Sequence, residues 1–371
     1  MKINTDCRYY LGNRPCGFHK EDGRLCKNCL DFQKIERSIL IIKLDALGDV
    51  LRTTSILPPL TGKYPNSEIV WITRKNALEL LENNPYVWRK YAVEENYLEF
   101  ILNEQFDVGI NLDSDPLSAT ILSIAKCKEK LGFISNRAGQ MVPSNKEAEY
   151  WYLMGLNDRL KKENRKTYQE IIYDICNLKS AVRKPQIFLN EEHKSFGREF
   201  YKIKNLANFK KIIGINTGGG KRWELKKWTL ENYIQLVKLL KEMDRKNGII
   251  LFGGPGEMDF NQKIKEAVGP LIVDAGCDNS ILRFSALIDL ADVFFTPDSL
   301  GMHIGIALDK TTIALVGPTS PWELDVFDNG EIICSDRCDC IACYQPKCDK
   351  KINCMNTIIP GRIFKAIERH L

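Results

Sequence analysis

Apolar, β-branched runs alternate with helical stretches along most of the chain. The first run, Ser38–Leu44, is continuous, as is typical of a strand buried on both faces of a parallel sheet. The helix predicted after it reaches roughly Leu60, where Pro58-Pro59 and Gly62 are expected to end it. Further strands are predicted at Glu68–Thr73 and Phe106–Leu112, and further helices at Ala77–Asn83 and Leu117–Lys126.

The same alternation returns after a predicted linker at Ala181–Asn190. Because strands that alternate with helices favour parallel sheets, the chain is expected to fold as two doubly wound α/β halves. The basic segment Arg159–Lys166 is interpreted as an exposed loop or the flank of a long helix. Strands of the second half are predicted at Lys211–Asn216, Gly248–Phe252, Leu271–Asp274, Asp292–Thr296 and Thr312–Val316, and helices at Thr229–Met243, Asp259–Ala267, Ser280–Ile288, Ser299–Leu308 and Gly361–His370.

Length and charge narrow the class of protein. A chain of 371 residues suits two domains. Its 53 basic and 48 acidic residues leave a net charge of +5, which suits an anionic substrate or a membrane surface but is too small for a nucleic-acid binder. No stretch approaches the ~18 apolar residues of a membrane-spanning helix, and the first residues are not an apolar signal segment. We therefore expect a soluble, cytoplasmic protein.

The 13 cysteines are concentrated near the two ends of the chain. A reducing cytosol disfavours disulfides, so dense clusters of thiolates favour a metal such as zinc or iron. The alternative is that some are small buried side chains, and the two clusters could also share one site. The candidate ligands are Cys7, Cys16, Cys26 and Cys29 in a leader that also holds His19, and Cys340, Cys343, Cys348 and Cys354 near the C-terminus.

Residues that follow the strands are the candidates for chemistry, because doubly wound sheets bind ligands beyond the carboxyl ends of their strands. The first strand leads to Gly48 and Asp49 without the G-x-G-x-x-G fingerprint of a dinucleotide-binding dehydrogenase. Gly48 would let the backbone approach a ligand. The Asp49 carboxylate is a candidate base for an attacking hydroxyl, or else a first-turn residue favoured by the helix dipole.

Later strands lead to glycine-rich or helix-starting segments that suit an anion. The free N–H groups of a glycine loop can face a diphosphate while nearby lysines add charge, although a flexible surface turn is the alternative. Asp298 and Ser299 would stand at a helix N-terminus as an anion and sugar site, or as ordinary N-caps, and His303 is interpreted as a packed side chain. The loop residues are Thr217, Gly218, Gly219 and Gly220, followed by Lys226 and Lys227, with Gly253 in a second glycine-rich turn.

Together these segments resemble glycosyltransferase family 9, the heptosyltransferase family of bacterial lipopolysaccharide biosynthesis. The resemblance covers roughly residues 38–330, and the C-terminal cysteine spacing also resembles that of many members. Some members that glycosylate proteins carry iron held by cysteines. The matching segments are Leu47–Leu51 after the first strand, the Asn216–Gly220 loop with Lys226-Lys227-Trp228, the Phe252–Gly254 turn, and Asp298-Ser299 with His303 before Gly317–Thr319.

The resemblance implies an α/β GT-B fold, in which two Rossmann-like domains face each other across a cleft. The implied divisions are a Cys-rich metal-binding leader (1–37), an acceptor domain (38–185), a nucleotide-sugar donor domain with a Cys-rich tail (186–356), and a helix (357–371) that crosses back to the first domain. The implied reaction is inverting transfer of a sugar, with ADP-heptose favoured as the donor and without a catalytic metal. The implied acceptor is a glycan, a lipopolysaccharide at the inner face of the inner membrane, or a protein, with peripheral membrane contact.

When the roles of the matching family residues are carried over by position, Asp49 is the general base and Lys226 contacts the donor phosphate. Lys227 is the alternative for the phosphate contact. Leu300 departs from the family pattern, since many members carry glycine there. The competing hypothesis is an iron or iron–sulfur redox protein whose α/β domains merely carry nucleotide. The implied donor-binding residues are Gly48, Thr217, Gly218, Gly219, Lys226, Lys227, Gly253, Asp298, Ser299, Leu300, Gly301 and His303.

Overall fold

The computed structural model describes residues 2–219, 224–338, 340–345, 347–350 and 353–371. Two six-stranded sheets, each flanked by helices, are the centres of two α/β domains. Between the domains, residues 181–190 contain neither helix nor strand, at the position of the predicted linker. The predicted α/β fold class is therefore confirmed.

The first domain is built around a central strand, β1, whose last four residues, Ile39–Ile42, are buried. Its sheet has the order β3-β2-β1-β4-β5-β6, and the last pair alone is antiparallel among the described strands of this sheet. The strands are β1 (Arg37–Ile42), β2 (Ser67–Thr73), β3 (Val87–Ala92), β4 (Gln105–Asn111), β5 (Lys126–Ser135) and β6 (Met141–Pro143). The helices are α1 (Gly17–Asp22), α2 (Leu47–Thr53), α3 (Leu57–Lys63), α4 (Leu98–Asn103), α5 (Pro116–Ile124), α6 (Lys146–Leu156), α7 (Asp158–Glu163) and α8 (Tyr168–Ile175).

The second domain repeats this plan with an entirely parallel sheet. Its strand order is β12-β11-β10-β7-β8-β9. The strands are β7 (Ile212–Asn216), β8 (Gly248–Phe252), β9 (Val273–Asp274), β10 (Val293–Pro297), β11 (Thr311–Val316) and β12 (Gly330–Cys334). The helices are α9 (Glu191–Ile203), α10 (Leu230–Met243), α11 (Met258–Val268), α12 (Ile281–Ile288), α13 (Leu300–Ala307) and α14 (Pro360–Glu368).

The strands that the sequence pattern did not predict are β3, β5, β6 and β12. Charged residues interrupt the apolar runs of β3, β5 and β12, for example Arg89 in β3 and Lys128 in β5, so these strands lack the pattern of a strand buried on both faces. Strand β6 has only three residues, which is too short to show a pattern. The expected helix end at Leu60 is wrong, because Pro58 and Pro59 lie in the first turn of α3, where proline is tolerated, and the helix continues to Lys63. The predicted helix at Ala77–Asn83 is instead a 3₁₀ segment, Lys75–Leu81.

The last helix lies on the second domain. The buried residues of α14, Ile363, Ala366 and Ile367, share a hydrophobic core with Leu236 and Leu240 of α10. The sequence-based expectation that this helix crosses back to the first domain therefore differs from the structure. Its strongly amphipathic pattern predicted a helix but carried no information about which core would bury the apolar face.

The two domains meet where α2 of the first faces α13 of the second. A Cβ atom at Gly48 would lie 2.8 Å from Cδ2 of His303, so this close approach requires glycine. A second contact joins Glu79 to the start of α12, where its carboxylate accepts the backbone N–H groups of Ile281 and Leu282 at 3.1 and 2.9 Å. These contacts position the carboxyl ends of the two sheets opposite each other.

A buried ion pair links the ends of β1 and β4. The Lys43 ammonium donates to the Asp113 carboxylate, which also accepts the backbone N–H groups of Leu44 and Asp45. Both side chains are almost entirely buried. Because a buried charge without its partner is costly, this pair constrains the segment that leads into α2.

We predict that Asp113→Ala lowers the free energy of unfolding by about 3–5 kcal/mol, because it leaves the Lys43 ammonium buried and unpaired. Asp113→Asn should cost less, since the amide oxygen still accepts backbone N–H groups. Urea unfolding at pH 7, followed by tryptophan fluorescence, measures both changes. Equal losses for the two variants would contradict this account of the pair.

Candidate active site

A cavity of about 650 Å³ lies between the two domains, beyond the carboxyl ends of both sheets. Parallel α/β sheets place their ligands at this edge. The start of α2 lines the cavity from the first domain, while the start of α13 and the glycine-rich loops line it from the second. Predicted site residues that line it are Gly48, Asp49, Gly218, Gly219, Lys226, Gly253, Asp298, Ser299, Leu300, Gly301 and His303.

Asp49 lies in the first turn of α2, and its side chain is 34% exposed. Its Oδ1 atom lies 2.5 Å from Nη2 of Arg52. Burial raises the pKa of Asp49, but the positive charges of Arg52 and Lys43 outweigh burial and hold this pKa below its ordinary value. The carboxylate is therefore ionised and still accessible to a hydroxyl group in the cavity.

Arg52 is a site residue that the sequence interpretation missed. Its Nη1 donates to the backbone carbonyl of Glu323 in the second domain at 3.2 Å, and its guanidinium lies 4.0 Å from the ring centroid of Tyr168. One side chain thus contacts the candidate base and both domains. The i,i+3 spacing from Asp49 on one helix was the available signal, whereas the contacts with Tyr168 and Glu323 depend on tertiary structure.

The donor side of the cavity contains a second ion pair. The Nζ atom of Lys226 lies 2.6 Å from Oδ2 of Asp298, and the hydroxyl of Thr319 donates to the same oxygen at 2.7 Å. Burial raises the pKa of Asp298, but the Lys226 ammonium outweighs it and lowers this pKa below its ordinary value. A lysine and a carboxylate are thereby held together at the end of β10.

The N-terminus of α13 borders the same space. Ser299 occupies the N-cap position in extended conformation, and its Oγ lies 3.3 Å from Nδ2 of Asn216. A Cβ atom at Gly301 would lie 2.8 Å from the same Nδ2 atom, so glycine permits this packing. Leu300, the departure from the family pattern, is partly buried against the hydrophobic core and also lines the cavity.

Two of the predicted donor-binding residues have other partners. Thr217 is buried, and its hydroxyl donates to Oδ1 of Asn261 at 2.6 Å. Lys227 pairs with Glu257, with Nζ and Oε1 3.5 Å apart. Gly220, which the sequence interpretation placed in the diphosphate loop, lies outside the described residues, as do Lys221, Arg222 and Trp223 after it.

His303 is buried in the second turn of α13, against Gly48. Burial and the Arg52 charge together lower its pKa to about 3, against the opposing effect of Asp298 and Asp49. The imidazole is therefore neutral at pH 7. This agrees with the interpretation of His303 as a packed side chain that borders the ligand site.

The leader cysteines gather around a cavity of their own. Cys7, Cys16, Cys26 and Cys29, together with His19, line a space of about 290 Å³. Near the C-terminus, burial and the neighbouring Cys338, Cys343 and Cys340 together raise the pKa of Cys354 to about 11. Cys338, which was not among the four predicted ligands, thus lies close to Cys354.

Metal binding by either cluster stays a prediction. Within the part of the chain that the structure describes, no group of three or more His, Cys, Asp or Glu side chains is arranged as a metal site. The thiol groups themselves are the ligands that zinc and iron prefer.

Two Rossmann-like domains that face each other across a ligand cavity define the GT-B class of glycosyltransferases. A model of glycosyltransferase family 9 (heptosyltransferase) matches residues 98–352. The chain belongs to this family and is a glycosyltransferase. The resemblance, the GT-B fold and the enzyme class inferred from the sequence are confirmed.

Individual relatives agree with the family assignment. The lipopolysaccharide core heptosyltransferase OpsX of Haemophilus influenzae is 23% identical over 312 residues, covering 80% of this chain and 84% of OpsX. A glycosyl transferase family 9 structure from Veillonella parvula has a TM-score of 0.72 at 18% identity, covering 90% of this chain and 97% of that one. The ADP-heptose lps heptosyltransferase II of Escherichia coli has a TM-score of 0.66 at 20% identity, covering 90% and 98%.

None of the helices in the described residues is long and apolar enough to cross a membrane.

The buried, neutral His303 predicts a specific pH dependence of stability. Its pKa is depressed in the folded state, so below an unfolded pKa of about 6.5 the unfolded chain binds a proton that the folded chain does not. Stability should therefore fall as the pH drops from 6.5 to 4.5, by up to about 1.4 kcal/mol per pH unit from this group.

The difference in urea unfolding between the parent and His303→Gln, measured at several pH values, isolates this contribution. Asp49 and Asp298, whose pKa values are lowered, lose their stabilising charge only at more acidic pH. A parent and variant with the same slope between pH 6.5 and 4.5 would contradict the burial of a neutral imidazole.

Proposed function

We propose that this chain is an inverting heptosyltransferase in which Asp49 is the general base. The observation that carries this proposal is that Asp49 of the first domain shares one cavity with Lys226 and the N-terminus of α13 of the second domain. An accessible carboxylate faces a lysine and a helix N-terminus there, which is the arrangement that a hydroxyl acceptor and a diphosphate donor require.

In this mechanism, the Asp49 carboxylate accepts the proton of the acceptor hydroxyl as its oxygen attacks the anomeric carbon. The nucleoside diphosphate leaves from the opposite face, so the configuration at that carbon inverts. Negative charge that develops on the leaving diphosphate is stabilised by the Lys226 ammonium and the backbone N–H groups at the start of α13. A diphosphate is a good leaving group, so a second carboxyl group acting as a general acid is not required.

The ion pairs have defined roles in this proposal. Arg52 and Lys43 keep Asp49 ionised at neutral pH. Because the same charges make it a weaker proton acceptor, it would take the proton only as the acceptor oxygen bonds to the anomeric carbon. Lys226 pairs with Asp298. When the donor binds, the Lys226 ammonium would contact the donor phosphates as well as Asp298. Closure of the cleft would exclude water and suppress hydrolysis of the donor.

The substrates follow from the relatives by analogy. OpsX is a lipopolysaccharide core heptosyltransferase, and the E. coli neighbour is named for ADP-heptose and lipopolysaccharide. We therefore propose ADP-heptose as the donor and a lipopolysaccharide core glycan as the acceptor, which would place the reaction at the cytoplasmic face of the inner membrane. Gly218, Gly219, Gly253, Ser299 and Gly301 are proposed donor contacts.

We predict that Asp49→Asn lowers kcat by ~10²–10⁴-fold, because the acceptor hydroxyl loses its general base. Release of ADP from ADP-heptose in the presence of a lipopolysaccharide core fragment measures turnover, and NMR of the product determines the anomeric configuration. The matched control is Asp45→Asn, since Asp45 pairs with Arg74 at 3.0 Å and is mostly exposed. Full turnover by Asp49→Asn, or retention of configuration, would contradict the proposal.

A donor-binding measurement separates binding from chemistry. ADP at ~100 Kd adds about 2.7 kcal/mol to stability, which thermal unfolding detects. Asp49→Asn should keep this stabilisation, whereas Lys226→Ala should weaken it. Lys227→Ala is the neighbouring control, since Lys227 pairs with Glu257. If UDP, GDP or CDP stabilises the protein and ADP does not, the proposed donor is wrong. The proposal that the chain is a sugar transferase would still stand.

A structural metal in the leader is the second candidate function, because all four of its cysteines line one cavity. We predict that the purified full chain contains zinc or iron and that the double variant Cys26→Ser/Cys29→Ser loses it, as measured by plasma mass spectrometry. Cys127→Ser, which changes a cysteine of β5 outside both clusters, is the control. A metal-free parent, or unchanged metal content in the double variant, would contradict a metal site in the leader.

A further inference from the structure

Helices α6 and α7 carry a group of exposed leucines. Leu153, Leu156 and Leu160 are 49%, 68% and 37% exposed. The opposite face of α6 buries Ala148 and Met154 in the core of the first domain, so this helix has apolar residues on both its inner and outer faces. Isolated exposed leucines are common on proteins, but three within eight residues form a patch that water solvates poorly.

The segment that contains Leu160 carries a net positive charge. Residues 158–166 contain five basic and two acidic residues; Arg159 pairs with Glu163 and Lys166 with Asp174, so the remaining positive charge is that of Lys161, Lys162 and Arg165, partly offset by Asp158. From the sequence pattern alone, these basic residues could be an ordinary solvated surface. In the structure they lie directly beside the exposed leucines. Apolar side chains next to lysine and arginine are typical of surfaces that bind the interface of an anionic bilayer.

This surface lies at the mouth of the candidate active site. Lys161 lines the cavity, and its Nζ atom lies 3.8 Å from the ring centroid of Tyr344. The guanidinium of Arg165 lies 3.9 Å from the ring centroid of Trp322, which is itself 38% exposed. The hydroxyl of Tyr344 donates to Glu323, the residue whose backbone carbonyl accepts from Arg52. The patch is thus connected to the neighbourhood of Asp49 through a few direct contacts.

We propose that the α6–α7 surface, formed by Leu153, Leu156, Leu160 and the basic residues of 158–166, docks on an anionic lipid bilayer and holds the cleft mouth at the membrane. The leucines enter the boundary between headgroups and acyl chains, and the basic side chains bind lipid phosphates. Charge complementarity favours this occupant over a second copy of the chain, whose identical basic segment would repel it. The docking deepens the proposed function, because it would deliver a lipid-linked acceptor to the cleft.

The test is co-sedimentation of the full chain with vesicles of phosphatidylglycerol and phosphatidylcholine, compared with vesicles of phosphatidylcholine alone. We expect binding to the anionic vesicles that weakens with salt. The double variant Leu153→Ser/Leu156→Ser and, separately, Lys162→Glu should each lower the partition coefficient by ~10-fold or more. These side chains are exposed, so the fold should be unaffected, and circular dichroism checks this.

The matched control is Ile203→Ser. Ile203 is 65% exposed at the end of α9, between Lys202 and Lys204, so it offers an apolar residue with basic neighbours elsewhere on the surface. It should leave vesicle binding unchanged. Failure of the parent to bind anionic vesicles, or equal loss for the control and the leucine variant, would overturn the proposal.

Two further readouts separate the alternatives. If the leucine variant changes the molar mass in light scattering without lipid, the surface is an interface between copies and the membrane proposal fails. Transfer to a soluble core fragment tests the proposed function without vesicles, and the leucine variant should retain it. If Asp49→Asn loses transfer, the proposed function is supported. If the parent in the same experiments does not bind vesicles, the docking surface is rejected.

Discussion

The ionised carboxylate of Asp49 is the constraint on which the rest of the cleft depends. A charge at a domain interface must be balanced, and Arg52 from the same helix and Lys43 from the end of β1 balance it. His303, which packs against the neighbouring Gly48, stays uncharged because it is buried and because Arg52 lies near it. Lys43 in turn needs Asp113, so one charge at the cleft organises a network that reaches into the sheet.

Close packing around the cleft is the second requirement, and glycine permits it at one contact between the domains and at one contact within the second domain. Gly48 admits the ring of His303, and Gly301 admits the amide of Asn216. A side chain at either position would push apart residues that must contact the same donor and acceptor. Glycine is required at these two positions because a neighbouring side chain occupies the space of a Cβ atom. Neither glycine adopts a left-handed backbone conformation.

The residues after the strands could be predicted from the sequence because a parallel sheet brings the ends of its strands to one edge. Asp49, Lys226 and Asp298 are examples, and all of them line the cavity. Arg52 was missed because two of its three contacts come from segments distant in the sequence. The placement of α14 was wrong for the same reason, since tertiary packing decides which core buries this helix and local pattern does not.

The contact between Glu79 and α12 has a consequence for turnover. The first two N–H groups of that helix are satisfied by a carboxylate from the other domain, while Ser280 satisfies the third. Separating the domains would leave a helix N-terminus and its partial positive charge without their counter-ion. Glu79 therefore stabilises the domain arrangement of this structure, and any opening of the cleft that releases product would have to break its two hydrogen bonds.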